Sequence, residues 1–186
     1  RYARSLCKRT LSGGIAARED KRFLSGVTPK GLLFLKQSIA PHYKTVIALE
    51  DEYGAVAKVF FSYLRELCLA DKQHIITCFN TISPDVIDHI LLPEQGIAFC
   101  SENRYTHPDG ITRRIHARRL TDVVSLSAKR QKITFNRRAA EELLREAVSV
   151  IAEAKHTHDK LEKYYIDAMN FEAVGSLAAK IAGEMA

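Results

Sequence analysis

The sequence lacks two kinds of segment that would place a chain in or across a membrane. No apolar run approaches the ~18 residues that a membrane-spanning helix needs, and the start has no cationic patch followed by an apolar stretch and a small-residue cleavage site. The first absence predicts a protein without a membrane partner. Because the chain also starts at Arg1 instead of methionine, we expect it to be a fragment of a longer protein.

Cysteines at metal-ligand spacing are also lacking. The four cysteines form no Cys-x-x-Cys pair, so they do not have the spacing of a zinc site. Three of them, Cys68, Cys78 and Cys100, lie inside apolar runs, where free cysteine behaves as a small buried hydrophobe. Free thiols indicate a reducing compartment, and we therefore predict a cytoplasmic location.

Motifs for catalysis or metal binding are equally scarce. The pair His156-x-His158 lies on a predicted helix, where the two side chains would be about 200° apart and could not share an ion. There is no Gly-x-Ser-x-Gly turn, and nothing else singles out a nucleophile. We predict no metal site and no catalytic residue.

Composition places the chain among ordinary globular proteins. Its 186 residues fit one domain or a domain with a helical appendage, and 46% are hydrophobic while 27% are charged. The formal charge is +6 and the pI about 9.2, which favours an anionic partner such as a nucleotide or a nucleic acid.

Apolar runs alternate with helical patterns in the first two thirds of the chain. Residues 1–22 are basic and predict a short helix and a linker. Caps and apolar spacing predict helices over 30–40, 55–70 and 83–91, and continuous apolar runs predict strands over 45–50, 74–79 and 96–100. Residues 111–120 could form a strand or an edge segment. Strands alternating with helices indicate a three-layer α/β domain with a mainly parallel sheet over 23–135.

The last third has a different pattern. From about Asn136 a long amphipathic helix begins. The residues near its one apolar stripe are Leu143, Leu144, Val148, Ile151, Ala154, His158 and Leu161. A break over 167–170 precedes a final helix that we expect Asn170 to cap. We therefore predict a helical hairpin over 136–186, packed on the same domain.

The segment TVIALEDEYGAVAKVFF, residues 45–61, has the layout of a phosphate-binding loop between a strand and a helix. Such a loop uses Gly-x-x-x-x-Gly-Lys-[Ser/Thr], because glycines let backbone amides surround phosphates and the lysine reaches them. Here Asp51 stands at the first glycine and Ala57 at the lysine, while Gly54 keeps an internal glycine. Lys58 is one residue late, a rotation of about 100° on a helix. Gly54 and Lys58 are the positions we name for any remaining phosphate binding.

Three further motifs carry a family resemblance: SPDxID at 83–88, LPExxIA at 92–98 and HDxLExYY at 158–165. With the 45–61 segment, they make residues 20–186 resemble the second half of an uncharacterised family of bacterial P-loop ATPase-like proteins. That family is found chiefly in spore-forming bacteria and has two P-loop halves joined by long helices. The resemblance implies a P-loop NTPase fold and, as a partner, the other half of the same protein.

The resemblance also implies ATP and magnesium as ligands, and this chain departs from the family at both sites. The family loop would carry Gly-Lys-[Ser/Thr], of which Gly54 alone remains. An aspartate that holds magnesium would follow the strand at 96–100, where Ser101 and Glu102 stand. We therefore predict a degenerate nucleotide site, with ATP and magnesium not bound by this half, which would scaffold or regulate a larger ATP-binding protein.

A basic segment, 104–119, adds two candidate residues, Arg113 and Arg114. An arginine fork fits phosphate, so this segment could clamp an anion; it could equally be a solvated face. Two other functions stay open. One is a non-enzymatic nucleic-acid-binding module that uses 104–119 and 129–138, and the other is a divergent but active ATPase or nucleotide kinase. The oligomeric state is open as well.

Overall fold

A six-stranded sheet organises the protein, and the computed structural model describes residues 2–11, 13–121 and 127–185. The sheet strands are β1 (Arg18–Phe23), β4 (Thr45–Glu50), β5 (His74–Phe79), β6 (Ile87–Leu92), β7 (Ile97–Glu102) and β8 (Ile111–His116), and a separate hairpin pairs β2 (Ser25–Thr28) with β3 (Gly31–Phe34). The α-helices are α1 (Tyr2–Thr10), α2 (Ala55–Ala70), α3 (Arg130–Ala168) and α4 (Phe171–Glu184), and 3₁₀ turns span Lys36–Ser38 and Ala117–Leu120.

Strand order in the sheet is β1-β5-β6-β7-β4-β8. All neighbouring strands are parallel except at β6, which runs antiparallel to both β5 and β7. The strand β4 lies between β7 and β8, so Glu50 at its carboxyl end is level with Glu102 on one side and His116 on the other. The predicted α/β class and mostly parallel sheet are confirmed.

The predicted helix over 83–91 is wrong, because this segment supplies β6. The Asn80 side chain accepts hydrogen bonds from the amides of Ile82 and Ser83 and donates to Asp88, which makes a turn out of the Ser-Pro sequence. All six residues of β6 are buried. A short continuous apolar run suits a buried strand as well as a helix, and here the strand forms.

The predicted helix over 30–40 is wrong for a related reason. Thr28 accepts from the amide of Lys30 and donates to the carbonyl of Gly31 through its hydroxyl, so it closes a hairpin turn instead of capping a helix. Gly31 has φ of 112°, a conformation that other residues rarely adopt. The predicted linker within 1–22 contains the strand β1, which pairs with β5.

Two apolar clusters cover the two faces of the sheet. On one face α1 and α2 pack Leu6, Phe61 and Leu64 against the strands. On the other face the main covering residues are Leu24, Ile39 and Tyr43, with Phe34 of the hairpin beside them. The second face is therefore covered largely by the β2–β3 hairpin and the turn after it, whereas the sequence predicted flanking helices.

The C-terminal helices α3 and α4 are separated at Met169 and Asn170. The Asn170 side chain accepts a hydrogen bond from the amide of Ala173, so the predicted cap is confirmed. The helix α3 starts at Arg130, ahead of the predicted boundary at Asn136. Neither helix contains a buried residue. Among the described residues, no helix combines the length and the apolar character needed to cross a membrane.

Candidate functional site

The loop after β4 is the candidate site, and it starts at the centre of the sheet. The Asp51 amide donates to the Glu102 carbonyl at 3.0 Å, which extends the β4–β7 ladder by one residue. The chain then turns through Glu52 and Tyr53 to Gly54 and enters α2. Since β4 connects through α2 to β5 on one side of it, while β8 lies on its other side, the carboxyl end of β4 is a switch point in strand order. Ligands of open α/β sheets commonly bind at such points.

The Asp51 carboxylate occupies the amino end of α2. Its Oδ2 accepts hydrogen bonds from the amides of Val56 and Ala57, both at 2.8 Å, and its Oδ1 accepts from the amide of Tyr53 at 3.2 Å. Asp51 is 6% exposed. These amides belong to the group that a helix leaves without intrahelical partners and that commonly binds phosphate. In this protein a side chain of the loop already satisfies them.

The predicted residues Gly54 and Lys58 lie at the start of the same helix. Gly54 is the residue before the first helical residue and has φ of 71°, the left-handed conformation that glycine adopts without strain. The Lys58 amide donates to the Gly54 carbonyl at 3.0 Å, and the Lys58 side chain is exposed. Neither residue lines the cleft next to the loop. The two residues are therefore neighbours at the start of α2, outside the lining of this cleft.

Glu102, at the position of a magnesium-binding carboxylate, is engaged by Arg114. The Arg114 guanidinium donates to both carboxylate oxygens, at 2.7 and 2.9 Å, reaching across β4 over the small residue Ala48. The Glu102 side chain is 10% exposed and that of Arg114 is 50% exposed. The hydrogen bond and charge of Glu102 raise the pKa of Arg114. Glu102 faces the same side of the sheet as Glu50, and Ser101, the residue before it, faces the other side.

Arg113 and Arg114, which we predicted as one anion clamp, point to opposite faces of β8. Arg113 donates to the Tyr2 hydroxyl of α1 at 3.2 Å, on the face that α1 and α2 cover. Arg114 binds Glu102 on the other face. Since successive residues of a strand face opposite sides of a sheet, Arg113 and Arg114 do not point at one ligand here, which favours the solvated face that we gave as the alternative for this segment.

A cleft of about 480 Å³ lies at the switch point, between the loop after β4, the turn after β8 and the start of α3. Its charged lining residues are Glu50, Asp51, Glu52, Arg118 and Arg130. Two of the carboxylates have basic side chains beside them: Glu50 lies 2.6 Å from a His116 ring nitrogen, and Glu52 lies 2.7 Å from an Arg137 nitrogen. Among the described lining residues, three carboxylates stand against two guanidinium groups, so these residues provide no cationic excess that would attract phosphate.

Carboxylates also neutralise part of the basic surface that the nucleic-acid alternative requires. Arg104 pairs with Glu141, Arg114 with Glu102, and Arg137 with Glu52. These pairs include residues of both basic segments, 104–119 and 129–138. A nucleic-acid interface depends on clustered cations that are available to backbone phosphates, so the pairing weakens this alternative.

One group of side chains on α3 has the geometry that a metal ion could use. His156 and His158 do not form a site together, but His158, Asp159 and Glu162 bring one ligand atom each to within 4.8 Å of one another on α3. All three lie on one solvent-facing helix, and Lys155 binds both oxygens of Asp159, at 2.7 and 2.9 Å. The ion pair explains this cluster without a metal.

The thiols are free, and burial makes two of those near the sheet unreactive. Burial raises the pKa of Cys78 to about 12 and also raises that of Cys100. A thiol with such a pKa carries almost no thiolate at neutral pH, and the thiolate is the nucleophile. Cys78 and Cys100 are therefore core residues, as predicted from the sequence.

Sequence reasoning missed the role of Asp51. It identified the negative charge at a phosphate position but did not predict that the carboxylate would bind the helix amides itself. An aspartate shortly before a helix start is a known capping signal. No family model matches the chain, and no curated protein or solved structure is significantly similar to it.

Proposed function

We propose that this chain is a P-loop NTPase-like domain with a degenerate nucleotide site, and that it scaffolds or regulates a larger ATP-binding protein. The observation that carries the proposal is the position of Asp51, whose carboxylate accepts from the amides of Val56 and Ala57 at 2.8 Å. A phosphate would need these amides. The carboxylate supplies the same negative charge at the same place from within the chain.

The sheet topology supports the P-loop part of the proposal. The loop follows a central strand whose two neighbours, β7 and β8, are parallel to it, and it leads directly into α2. The carboxyl end of β7 lies beside the carboxyl end of β4. A phosphate-binding loop and a magnesium-binding carboxylate would need this adjacency in order to share one ligand.

The ion pair of Glu102 supports the proposal that the nucleotide site is degenerate. Glu102 is held by two hydrogen bonds from Arg114, so binding magnesium there would require breaking a bidentate ion pair. The cleft beside the loop carries the additional charges of Glu50 and Glu52. Both features oppose the binding of a magnesium nucleotide.

Calorimetric titration with Mg-ATP tests the proposal. We expect no saturable heat from the wild-type chain. A dissociation constant at or below about 100 μM, roughly 5.5 kcal/mol, would show an active site and would overturn the degenerate assignment. Duplex and single-stranded nucleic acid serve as parallel ligands at low and physiological salt. Saturable binding that falls steeply with salt would instead favour the nucleic-acid-binding module.

Two variants separate a blocked P-loop from an ordinary capped helix. Asp51→Gly frees the amides of Tyr53, Val56 and Ala57, and we expect it to bind Mg-ATP more tightly than the wild type. Glu52→Gly is the matched control, since it also removes one negative charge from the loop but leaves those amides occupied. Equal affinities in the two variants would remove the P-loop interpretation of this turn.

A further inference from the structure

The helix α3 carries two distinct apolar stripes, where the sequence predicted one. Leu144, Val148 and Ile151 are partly buried, and the first two line a cleft of about 460 Å³ with Leu32 of the hairpin. The second stripe faces solvent. Its members, which we call the outer seam, are Leu143, Ala147, Val150, Ala154, Thr157, Leu161, Tyr164 and Ala168.

The outer seam has the spacing of a coiled coil. Its eight residues follow one another at alternating intervals of four and three residues without interruption, which is the 3.5-residue period of paired helices. Every one of them is exposed. The large members are exposed by half or more, with 71% for Leu143, 51% for Leu161 and 77% for Tyr164.

An exposed seam of this kind needs a partner helix. It extends over 143–168, which is about 37 Å at the rise of an α-helix. The exposed apolar surface along this length is far larger than that of a single exposed leucine. Most of a helix's stability in proteins comes from packing its apolar face. The described residues of this chain leave that face uncovered, because α3 has no buried residue.

We propose that α3 pairs with α3 of a second copy of this chain as an antiparallel coiled coil. The proposal is independent of the proposed function. We place the two-fold axis beside residues 155 and 156. Two-fold symmetry then puts each seam residue opposite the one whose residue number brings the total to 311. Val150 then faces Leu161 of the second copy, and Ala147 faces Tyr164 of the second copy. In two of the pairs, Ala147 with Tyr164 and Leu143 with Ala168, a large residue meets a small one, which interdigitating cores favour.

The charges flanking the seam fit the same register. Every second seam residue, namely Ala147, Ala154, Leu161 and Ala168, is directly preceded by a charged residue. These charged residues are Glu146, Glu153, Lys160 and Asp167, and in antiparallel pairs these flanking positions face one another across the interface. Glu153 then faces Lys160 of the second copy, and the symmetry repeats this contact. At the ends Glu146 faces Asp167 of the second copy, so two attractive contacts at the centre oppose two repulsive ones at the ends.

A parallel pair fits less well. It would place Tyr164 against Tyr164 and, one turn later, Ala168 against Ala168, which leaves crowding beside a gap. Glu153 would face His158 and Lys160 would face the uncharged Tyr165. The size and charge patterns together therefore select the antiparallel second copy as the occupant of this surface.

Sedimentation equilibrium of the whole chain tests the pairing. We expect a dimer at about 100 μM; a monomer at this concentration would overturn the proposal. Leu161→Glu places a charge in the seam and should weaken the dimer by at least ~100-fold. Leu177→Glu changes an exposed leucine of α4 outside the seam and should leave the dimer intact. A dimer that survives Leu161→Glu would show that another surface is used.

A charge exchange tests the antiparallel register. Glu153→Lys and Lys160→Glu should each weaken the dimer, by roughly fivefold to tenfold, because each replaces two attractive contacts with repulsive ones. The double variant restores Lys-Glu pairs and should return to near wild-type affinity. Failure of the double variant to recover would exclude this register, since in a parallel pair the exchange would create no such contacts. Circular dichroism checks that each variant remains folded.

Discussion

The ring of Phe34 stacks on the ring of His89, with centroids 5.4 Å apart and an angle of 24° between their planes. His89 is 1% exposed and lies between Cys78 and Cys100 on the neighbouring strands. Within the described part of the chain, neither of its ring nitrogens has a hydrogen-bond partner. Burial of this ring lowers its pKa to about 3, so the imidazole stays neutral at physiological pH.

His89→Leu should therefore stabilise the protein. The substitution removes two buried polar atoms without partners, whose desolvation costs about 1–3 kcal/mol, and it keeps an apolar side chain in the core. Urea unfolding at pH 7 measures the free energy of unfolding. His42→Leu is the control, because His42 is exposed, and it should change the stability by less than about 0.5 kcal/mol. A destabilised His89→Leu protein would mean that the ring has a partner in solution.

The same residue should make the stability depend on pH. The pKa of His89 falls from an ordinary 6.5 to about 3 in the folded protein, so the unfolded chain binds the proton more readily. Its contribution is fully present above pH 6.5 and is lost as the pH falls from 6.5 towards 3. Unfolding measured across this range should show a shallower loss of stability in His89→Leu than in the wild type. Parallel curves would refute this.

Glu19 should also make the stability depend on pH, in a more acidic range than His89 does. Arg65 donates to its carboxylate at 2.6 Å and Thr77 at 2.7 Å, which ties the edge strand β1 to α2 and β5. These bonds lower the pKa of Glu19 from 4.5 to about 2. The stability they provide is present above pH 4.5 and is lost as the pH falls from 4.5 to 2.

Glu19→Gln isolates this effect. At pH 7 the variant should be less stable by about 2 kcal/mol, the scale of a lost hydrogen bond to a charged group. Towards pH 2 the difference from the wild type should shrink, because the wild-type carboxylate also becomes neutral. Acid titration of unfolding checks both statements. A difference that stays constant from pH 7 to pH 2 would contradict the assigned pKa.

Asp51→Ala should destabilise the amino end of α2. The amides of Tyr53, Val56 and Ala57 lose their acceptor, and the loss of a capping side chain costs about 1–2 kcal/mol. Glu52→Ala provides a neighbouring control, because the Glu52 side chain is 56% exposed and its surface pair with Arg137 contributes less than about 1 kcal/mol. Chemical unfolding compares the two variants. Equal losses would refute the cap.

Arg114→Ala should lower the thermal midpoint more than Arg113→Ala. Loss of Arg114 leaves the Glu102 carboxylate, 10% exposed, without its bidentate partner, whereas Arg113 makes one exposed hydrogen bond to Tyr2. A second change, Glu102→Gln, should relieve part of the defect in Arg114→Ala because it removes the unpaired charge. No relief in the double variant would show that Arg114 acts through packing alone.

The elements predicted well from the sequence are those in which pattern and capping agree. The strand over 45–50, the helix over 55–70 and the strand over 74–79 appear with the predicted bounds. The helix is supported by helical spacing over 16 residues, and the two strands by apolar runs of six residues rich in β-branched side chains. The predictions over 30–40 and 83–91 failed because Thr-Pro and Ser-Pro begin turns as readily as helices. Strand pairing decides the outcome: β3 pairs with β2 in the first segment, and β6 pairs with β5 and β7 in the second.

The candidate site was harder to predict because its geometry depends on tertiary structure. Gly54 and Asp51 were identified from the loop pattern, but the hydrogen bonds of Asp51 depend on how the loop folds over α2. The partner of Arg114 could not be predicted from the sequence. Glu102 of β7 comes within reach of Arg114 of β8 because both strands pair with β4, and this strand order is a property of the folded sheet. Helix periodicity alone likewise did not separate the two apolar stripes of α3.

The position of β4 between β7 and β8 also constrains the order of events during synthesis. Both neighbours are made after β4, with β8 ending at His116, and such non-local pairing forms late. While the nascent chain grows, the apolar residues of β4 from Val46 to Leu49 have no strand to pair with. A ribosome that pauses between β7 and β8 would leave β4 with β7 as its one neighbour and with the edge that β8 covers still open, so aggregation or chaperone capture should begin at this edge.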